Sequence, residues 1–299
     1  MQDFDFNTIS NSIEGEFLVD DLHKIIYATD ASVYRELPLA VCYPKHDKDV
    51  QKIVKFCSQN QIPLTPRAAG TSLAGQCVTN GIVLDLSKYF TSQLSFDEVE
   101  KHITLQPGIV RDALNHSLGQ HGLFFGPNTS TSNRCNIGGM FGNNSSGTTS
   151  IKYGVTRDKV ISSKGYLSDG SFIEINPLTP SEFKNKLTLK SLEGNIYRYF
   201  NELFQRSDIE NLLEEGFPKS SIHRRNTGYA IDELYNSSFF KNKSNPYFNL
   251  NKLLCGSEGT LFVSTELQIK LDTQPPKHSV MVAAHFHSIS SCLESVEAT

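Results

Sequence analysis

Short apolar runs alternate with helix-spaced polar segments over the first third of the chain. LAVCYP (39–44) is an apolar run closed by proline and reads as a buried strand. DKDVQKIVKFCSQN (47–60) places Val50, Ile53, Val54, Phe56 and Cys57 close to helical spacing. IPLTPR (62–67) and GIVLDLS (81–87) supply two further strands. This strand–helix–strand order with short links predicts an α/β unit containing at least one parallel crossover. Residues 1–30, with no clear period, read as an irregular, partly helical lead-in.

Further on, KHITLQPG (101–108) half-alternates like a strand, and VRDALNHSLGQHG (110–122) is a helix ending at glycine. VISSKGYLSDGSFIEI (160–175) predicts a hairpin turning at Asp169-Gly170. Residues 192–215 read as helical, and GTLFVSTELQIKL (259–271) as a long strand, before Pro275-Pro276 breaks the pattern. SVMVAAHF (279–286) and SISSCLESVEA (288–298) then predict a strand and a helix. One strand and one helix cannot bury a core, so they read as the opening of a truncated further domain. No internal repeat, low-complexity tract or heptad interrupts this organisation.

Composition narrows the classes. A length of 299 residues allows one large domain or two smaller ones. A net charge of −4 provides no global basic field, so nucleic acid is not an expected partner. No apolar run approaches the roughly 20 residues of a transmembrane helix, and MQDFDFNTIS lacks a signal peptide's basic start and apolar core. A cytoplasmic location is expected, with peripheral membrane association of a full-length protein left open. The six cysteines form no C-x-x-C pair and no iron–sulfur spacing, so they read as reduced thiols.

Glycine is concentrated: 14 of the 20 lie between Gly70 and Gly170. One cluster, PRAAGTSLAGQ (66–76), directly follows a predicted strand. A second spans 126–147, including NIGGMFGNNSSG (136–147), and is followed by Tyr153-Gly154. Such segments mark exposed turns, or places where several main-chain N–H groups converge on a phosphate and glycine leaves it room. Two familiar phosphate sites fail on spacing. Gln76-Cys77 stand where a P-loop needs Lys-Ser/Thr, and no G-x-G-x-x-G follows the first strand.

These motifs, with Pro107-Gly108, GSEGTL (256–261), YATDAS (27–32) and PLAVCYP (38–44), resemble in order the FAD-linked oxidases and dehydrogenases of the vanillyl-alcohol oxidase type. The match runs from about residue 20 to 271. RRNTGYAIDEL (224–234) makes the chain most similar to D-2-hydroxyacid dehydrogenases of the D-lactate, glycolate and D-2-hydroxyglutarate type. More narrowly, it resembles long proteins in which this flavin module precedes an iron–sulfur module.

The resemblance implies an α+β protein with a PCMH-type FAD-binding fold of two α/β subdomains, about 36–95 and 96–271. A lead-in (1–35) would precede them and the start of an incomplete substrate-cap domain (272–299) would follow. From the first motif, Pro66, Arg67, Ala68, Ala69, Gly70, Thr71, Ser72, Gly75 and Gln76 are expected to bind FAD, with Arg67 to Ser72 on the diphosphate. Pro107, Gly108, Pro127, Asn128, Ser130 and Thr131 are expected to join them. So are Ile137, Gly138, Gly139, Gly142, Asn143, Asn144, Ser146, Gly147, Tyr153 and Gly154. Glu258 and Gly259 would lie near the nucleotide. Many relatives attach FAD through a histidine where this chain has Thr71, so noncovalent FAD is implied. Iron–sulfur clusters would belong only to a C-terminal module outside this chain.

The implied reaction moves a hydride from the α-carbon of a small 2-hydroxy acid to flavin N5 while a base takes the hydroxyl proton. Electrons would pass to another domain or carrier. Arg224 and Arg225 are the local candidates for a substrate-carboxylate clamp, with Tyr229 as a hydrogen-bonding partner. His223 adjoins them, and His285 and His287 would share a strand face at i, i+2. No catalytic base and no metal site is assigned, since the resemblance places both in the cap. Another alcohol substrate on the same fold, or a non-catalytic FAD-binding module, remain the alternatives.

Overall fold

The computed structural model describes residues 4–219, 222, 228–242, 244–278 and 280–298. Its first unit comprises α1 (Phe6–Ser12), β1 (Glu16–Leu18), α2 (Asp21–Tyr27), β2 (Ala40–Tyr43), α3 (Asp47–Asn60), β3 (Leu64–Arg67) and β4 (Ile82–Asp85). The sheet order is β1-β2-β4-β3, with β4 parallel to both β2 and β3. The expected crossover is thus β2–α3–β3. Ala40 to Cys42 and Ile82 to Leu84 are wholly buried, as befits central parallel strands covered on both faces. α3 packs Val50, Ile53, Val54 and Cys57 into this core.

The irregular lead-in expected over 1–30 is corrected by β1, an edge strand antiparallel to β2 with Phe17 opposite Cys42. Three residues are too few to show a period. Asp49 at the start of α3 holds the approach to this strand. Its buried carboxylate accepts the N–H groups of Glu14 (3.0 Å), Gly15 (3.0 Å) and Lys45 (2.9 Å). Burial opposes that charge, but the backbone donors outweigh it and hold the carboxyl below its ordinary value.

The second unit opens with β5 (Gln93–Asp97), β6 (His102–Leu105), α4 (Arg111–Leu118), β7 (Leu123–Phe124) and α5 (Ile137–Asn143). It continues with α6 (Ser150–Tyr153), α7 (Thr156–Lys159), β8 (Val160–Tyr166) and β9 (Phe172–Ile175). Then come α8 (Pro180–Leu187), α9 (Leu192–Phe204), α10 (Ile209–Gly216), α11 (Ile231–Asn236), α12 (Asn251–Leu254), β10 (Val263–Lys270) and β11 (Asp272–Thr273). The sheet β5-β6-β10-β8-β9 is antiparallel throughout, and β7 pairs with β11. The β8–β9 hairpin turns at Asp169-Gly170, where Gly170 has φ +76° and the Asp169 carboxylate accepts the Ser171 N–H at 2.9 Å. α8, α9 and the side chains of Phe239, Phe240 and Phe248 enclose an aromatic core in which Phe183 and Phe248 meet at 4.8 Å.

Three further expectations change. β5 is unannounced in the sequence because QLSFD is an exposed edge strand with little apolar pattern. The single helix over 192–215 is two, α9 and α10, broken where Arg206 pairs with Asp208 at 2.7 Å. Residues 280–286 are irregular rather than a strand. Val280, Met281 and Val282 are 82–95% exposed, and no described residue offers them a ladder or an apolar partner. A helix does follow, α13 (Ile289–Glu294), ending in a 3₁₀ turn (Ser295–Ala298).

The units share packing. Tyr166 of β8 and Val263 of β10 are buried in the first unit's core, and Gln51 of α3 donates to the Gly170 carbonyl at 3.0 Å. No helix among the described residues is long and apolar enough to cross a membrane.

Candidate functional site

The loop after β3 faces α5 and the turn before β10 across a cleft of about 810 Å³. That volume suits a cofactor pocket, for which roughly 300–1,000 Å³ is usual. The loop reverses through Gly70 (φ +64°) and Gly75 (φ +78°), conformations that favour glycine. A Cβ on Gly70 would stand 2.5 Å from Arg67 Nη2. The Arg67 guanidinium is already engaged. It donates to the carbonyls of Tyr27 (3.2 Å), Cys77 (3.3 Å) and Thr29 (2.8 Å) and lies over the Tyr27 ring at 4.9 Å. It fastens the loop to the N-terminal segment, while the N–H groups of residues 68–73 donate to no described group. Unpaired main-chain donors in succession on a cavity wall are what an anionic ligand needs.

The opposite wall is shaped by close backbone approach. Gly138 N–H donates to the Pro107 carbonyl at 2.7 Å, and Gly108 N–H to that of Phe90 at 2.7 Å. A Cβ on Gly139 would lie 3.0 Å from Ala68 Cβ, so here the two walls almost touch. The Asn136 amide braces this region by donating to the Gly108 carbonyl at 2.6 Å. Before β10 the chain turns through Gly256 (φ +98°), Glu258 (φ +53°) and Gly259 (φ +74°). Buried Arg157 holds that turn, donating to the Cys255 carbonyl through Nε (3.2 Å) and Nη2 (2.7 Å). Glu258 N–H donates to the Gly142 carbonyl (2.9 Å), and its carboxylate accepts the Asn143 amide at 3.0 Å. Burial pushes the Glu258 carboxyl above the usual carboxylate range, and the Asn143 bond only partly offsets it.

Of the residues named from the sequence, Pro66 to Ser72, Gln76, Pro107, Gly108, Ser130, Thr131, Gly138, Gly139, Gly142, Asn143, Glu258 and Gly259 line this cleft. Gly75, Pro127, Asn128, Ile137, Asn144, Ser146, Gly147, Tyr153 and Gly154 do not. Pro127 gives its carbonyl to Arg111 Nε (2.6 Å), and Asn128 Oδ1 accepts from Thr149 Oγ1 (2.7 Å). Ile137 is in the core, and Asn144 Oδ1 accepts the Arg157 N–H at 2.9 Å. Gly147 donates to Ser150 Oγ (3.0 Å), and the Tyr153 ring meets Phe124 edge-on at 5.0 Å. These residues knit the second unit together. Gly75 packs against Tyr34, and Gly154 (φ +75°) against Asp158.

Sequence reasoning missed Asp30, Arg134, Asn136, Ser257 and Phe262 as lining residues. Asp30 stood within the YATDAS segment, Arg134 and Asn136 within the glycine-rich block 126–147 and Ser257 within GSEGTL, while Phe262 lay just past that last motif. Arg134 also lines an adjoining open cavity of about 470 Å³ and pairs with no carboxylate among the described residues. Arg224, Arg225 and His223 lie outside the described residues. Tyr229 is 43% exposed, hydrogen-bonds Thr260 Oγ1 at 2.7 Å and is not part of the lining. His285 and His287 are exposed on irregular backbone, without the strand face expected for them. Among the described residues no group of three or more His, Cys, Asp or Glu is placed to hold a metal ion.

The comparisons with known proteins agree with this geometry. Residues 38–176 match the family described as FAD binding domain. The chain is 34% identical over 293 residues to the D-2-hydroxyglutarate dehydrogenase of Pseudomonas putida, covering 97% of this chain and 28% of that protein. It is 27% identical over 272 residues to the glycolate oxidase subunit GlcD of Escherichia coli strain K12, covering 90% and 42%. The solved 6-hydroxy-D-nicotine oxidase of Arthrobacter nicotinovorans shares the fold at a TM-score of 0.55 and 17% identity, covering 87% of this chain and 42% of that one. The chain therefore spans little more than a quarter of the first of these relatives.

The α+β architecture and the glycine-lined cleft define the PCMH-type FAD-binding fold, whose cofactor is FAD. The chain carries an FAD binding domain over residues 38–176 and is similar over nearly its whole length to D-2-hydroxyglutarate dehydrogenase. The residues present fit that cofactor: the unpaired N–H groups of 68–73 suit its diphosphate, and the wall at Gly138 and Gly139 has no room for a side chain.

Proposed function

We propose that this chain is the FAD-binding part of an enzyme that oxidises a D-2-hydroxy acid of the D-lactate, glycolate or D-2-hydroxyglutarate class. The observation that carries the reading is that residues 68–73, whose N–H groups find no described acceptor, line one cleft together with the glycine wall of α5. The names of the relatives supply the substrate class.

Bound in the cleft, FAD supplies the hydride acceptor for the substrate's α-carbon. The chain's own residues bind and orient. The 68–73 loop holds the diphosphate, and Pro107, Gly108, Ser130, Thr131, Gly138 and Gly139 shape the wall. Glu258 and Gly259 close the end beside Asn143. Thr71 offers no attachment atom of the histidine kind, so FAD is held noncovalently. The first subdomain spans about 36–95 and the second about 96–271, and the segment from 272 begins a substrate cap. The group that deprotonates the substrate belongs to that cap. Arg224 and Arg225 clamp the substrate carboxylate, with Tyr229 as a hydrogen-bonding partner. Electrons leave to another domain or carrier, with an iron–sulfur module in a longer protein as the natural recipient. A cytoplasmic location, peripheral to the membrane in the longer protein, fits the absence of a long apolar helix among the described residues.

The test is spectroscopic. The purified chain should take up FAD stoichiometrically and give a flavin absorption band that survives desalting and is released on denaturation. In the longer protein that band should bleach with a D-2-hydroxy acid and not with its L-enantiomer. A folded chain indifferent to FAD would overturn the reading. FAD retained in the longer protein but reduced by no 2-hydroxy acid would leave only a binding module or another alcohol as substrate.

A further inference from the structure

Glu258 holds an unusual position for an acid. Its backbone is left-handed (φ +53°), a conformation that L side chains rarely adopt, so the fold constrains where the side chain goes. Gly142 lies against its Cα, a Cβ on Gly142 reaching it at 3.7 Å. The neighbouring Gly259 packs on the Pro66 ring, next to the start of the unpaired N–H run. The carboxyl therefore stands in the wall between the 68–73 loop and the end of α5. One oxygen accepts the Asn143 amide, and no cation among the described residues pairs with either oxygen.

The other charged or titratable groups lining the cleft do not neutralise it. Arg67 is spent on three carbonyls, and Arg134 donates to Asn133 Oδ1 on the far wall. Asp30 caps its own turn through the Ser32 N–H (2.8 Å). Cys77 is a thiol that burial makes harder to ionise. An incoming dianionic diphosphate thus meets an uncompensated carboxyl.

We propose that Glu258 takes up a proton from solvent when a diphosphate-bearing nucleotide enters the cleft, so that FAD affinity falls as pH rises. The inference rests on the FAD reading above. Like charge disfavours the ionised carboxylate, and the bound state removes water that would otherwise screen it. Between the pH at which Glu258 ionises in the free chain and the higher pH at which it ionises in the complex, one proton is linked to binding. The dissociation constant then rises about tenfold per pH unit across that interval and levels off on either side.

The experiment is calorimetric titration of FAD into the flavin-free 299-residue chain. It is repeated from pH 5.5 to 9 in buffers of different ionisation enthalpy, which count protons directly. Wild type should take up close to one proton within the interval. Glu258→Gln should take up none and bind with a flat pH profile, matching or exceeding wild-type affinity at high pH. Asp30→Asn should keep the wild-type proton count. Zero uptake by wild type at every pH, or undiminished uptake by Glu258→Gln, would overturn the proposal. If Glu258→Gln did not fold, the wild-type count and its survival in Asp30→Asn would still decide the matter, since loss in Asp30→Asn assigns the proton elsewhere. Failure of FAD to bind at all strikes the underlying reading, whereas binding without proton uptake strikes this inference alone.

Discussion

Replacing Gly70 by alanine should cost FAD affinity without unfolding the chain. The backbone at Gly70 has φ +64°, where an L-residue costs about 1–2 kcal/mol. The new Cβ would also stand 2.5 Å from Arg67 Nη2, the atom that donates to the Thr29 carbonyl at 2.8 Å. Displacing that nitrogen loses a hydrogen bond from a charged group, worth about 1.5–3 kcal/mol. The loop makes few hydrogen bonds of its own, so in the free chain it can relax and avoid most of this strain. The strain returns when the diphosphate requires the original backbone shape. About 3 kcal/mol expressed in binding is roughly a hundredfold weaker dissociation constant. The matched control is Gly122→Ala, at the same φ of +64° with nothing within 4 Å of the new Cβ and no place in the cleft. It should lower thermal stability by about the backbone term alone and leave FAD affinity unchanged. Fluorescence titration of FAD into both variants gives the comparison. Equal affinities for Gly70→Ala and wild type would refute the assignment of the 68–73 loop to the cofactor.

Other outcomes follow from the same contacts. Asp49→Asn should destabilise the chain by about 2–4 kcal/mol in urea at pH 7, because an amide cannot accept all three N–H groups that the carboxylate holds. The Asp49 carboxyl ionises below its ordinary value when folded. Its contribution is therefore complete above the unfolded value of about 3.9 and is lost as pH falls through the lower folded value. The gap between wild type and Asp49→Asn should narrow in that acid range, and a constant gap down to pH 2 would contradict the account. Arg157→Lys should keep the charge but lose the two-pronged hold on the Cys255 carbonyl. A stability loss of about 1–2 kcal/mol and a several-fold weaker FAD complex are expected, read by thermal melts and titration.

Much of this was legible in the chain. Buried strands β2 and β4 announced themselves as unbroken apolar runs, and Asp169-Gly170 announced its hairpin. The glycine clusters pointed to the cleft. Yet glycine reports only that something comes close, not what. At Gly139 the neighbour is the opposite wall of the cleft, while at Gly147 and Gly154 it is Asn128 and Asp158 of the same unit. Arg67, which the resemblance places on the diphosphate, lines the cleft, but nothing in the sequence signals that its fork is filled by the carbonyls of Tyr27, Thr29 and Cys77. Edge strands β1 and β5 escaped notice because one is only three residues long and the other is exposed with little apolar pattern.

The burial of Tyr166 and Val263 in the first unit's core has a mechanical consequence. Two lobes joined only by a linker are free to rock, and a cofactor cleft between them would open and shut like a jaw. Here the second sheet sends two side chains into the first lobe's interior, and Gln51 ties α3 to the hairpin tip. Rocking would tear apolar surface out of a packed core. The gape of the cleft is thus set when the chain folds, and loading must proceed by adjustment of the 68–77 loop at its mouth. Urea unfolding of the two lobes should accordingly be a single transition, and FAD should shift it as a whole.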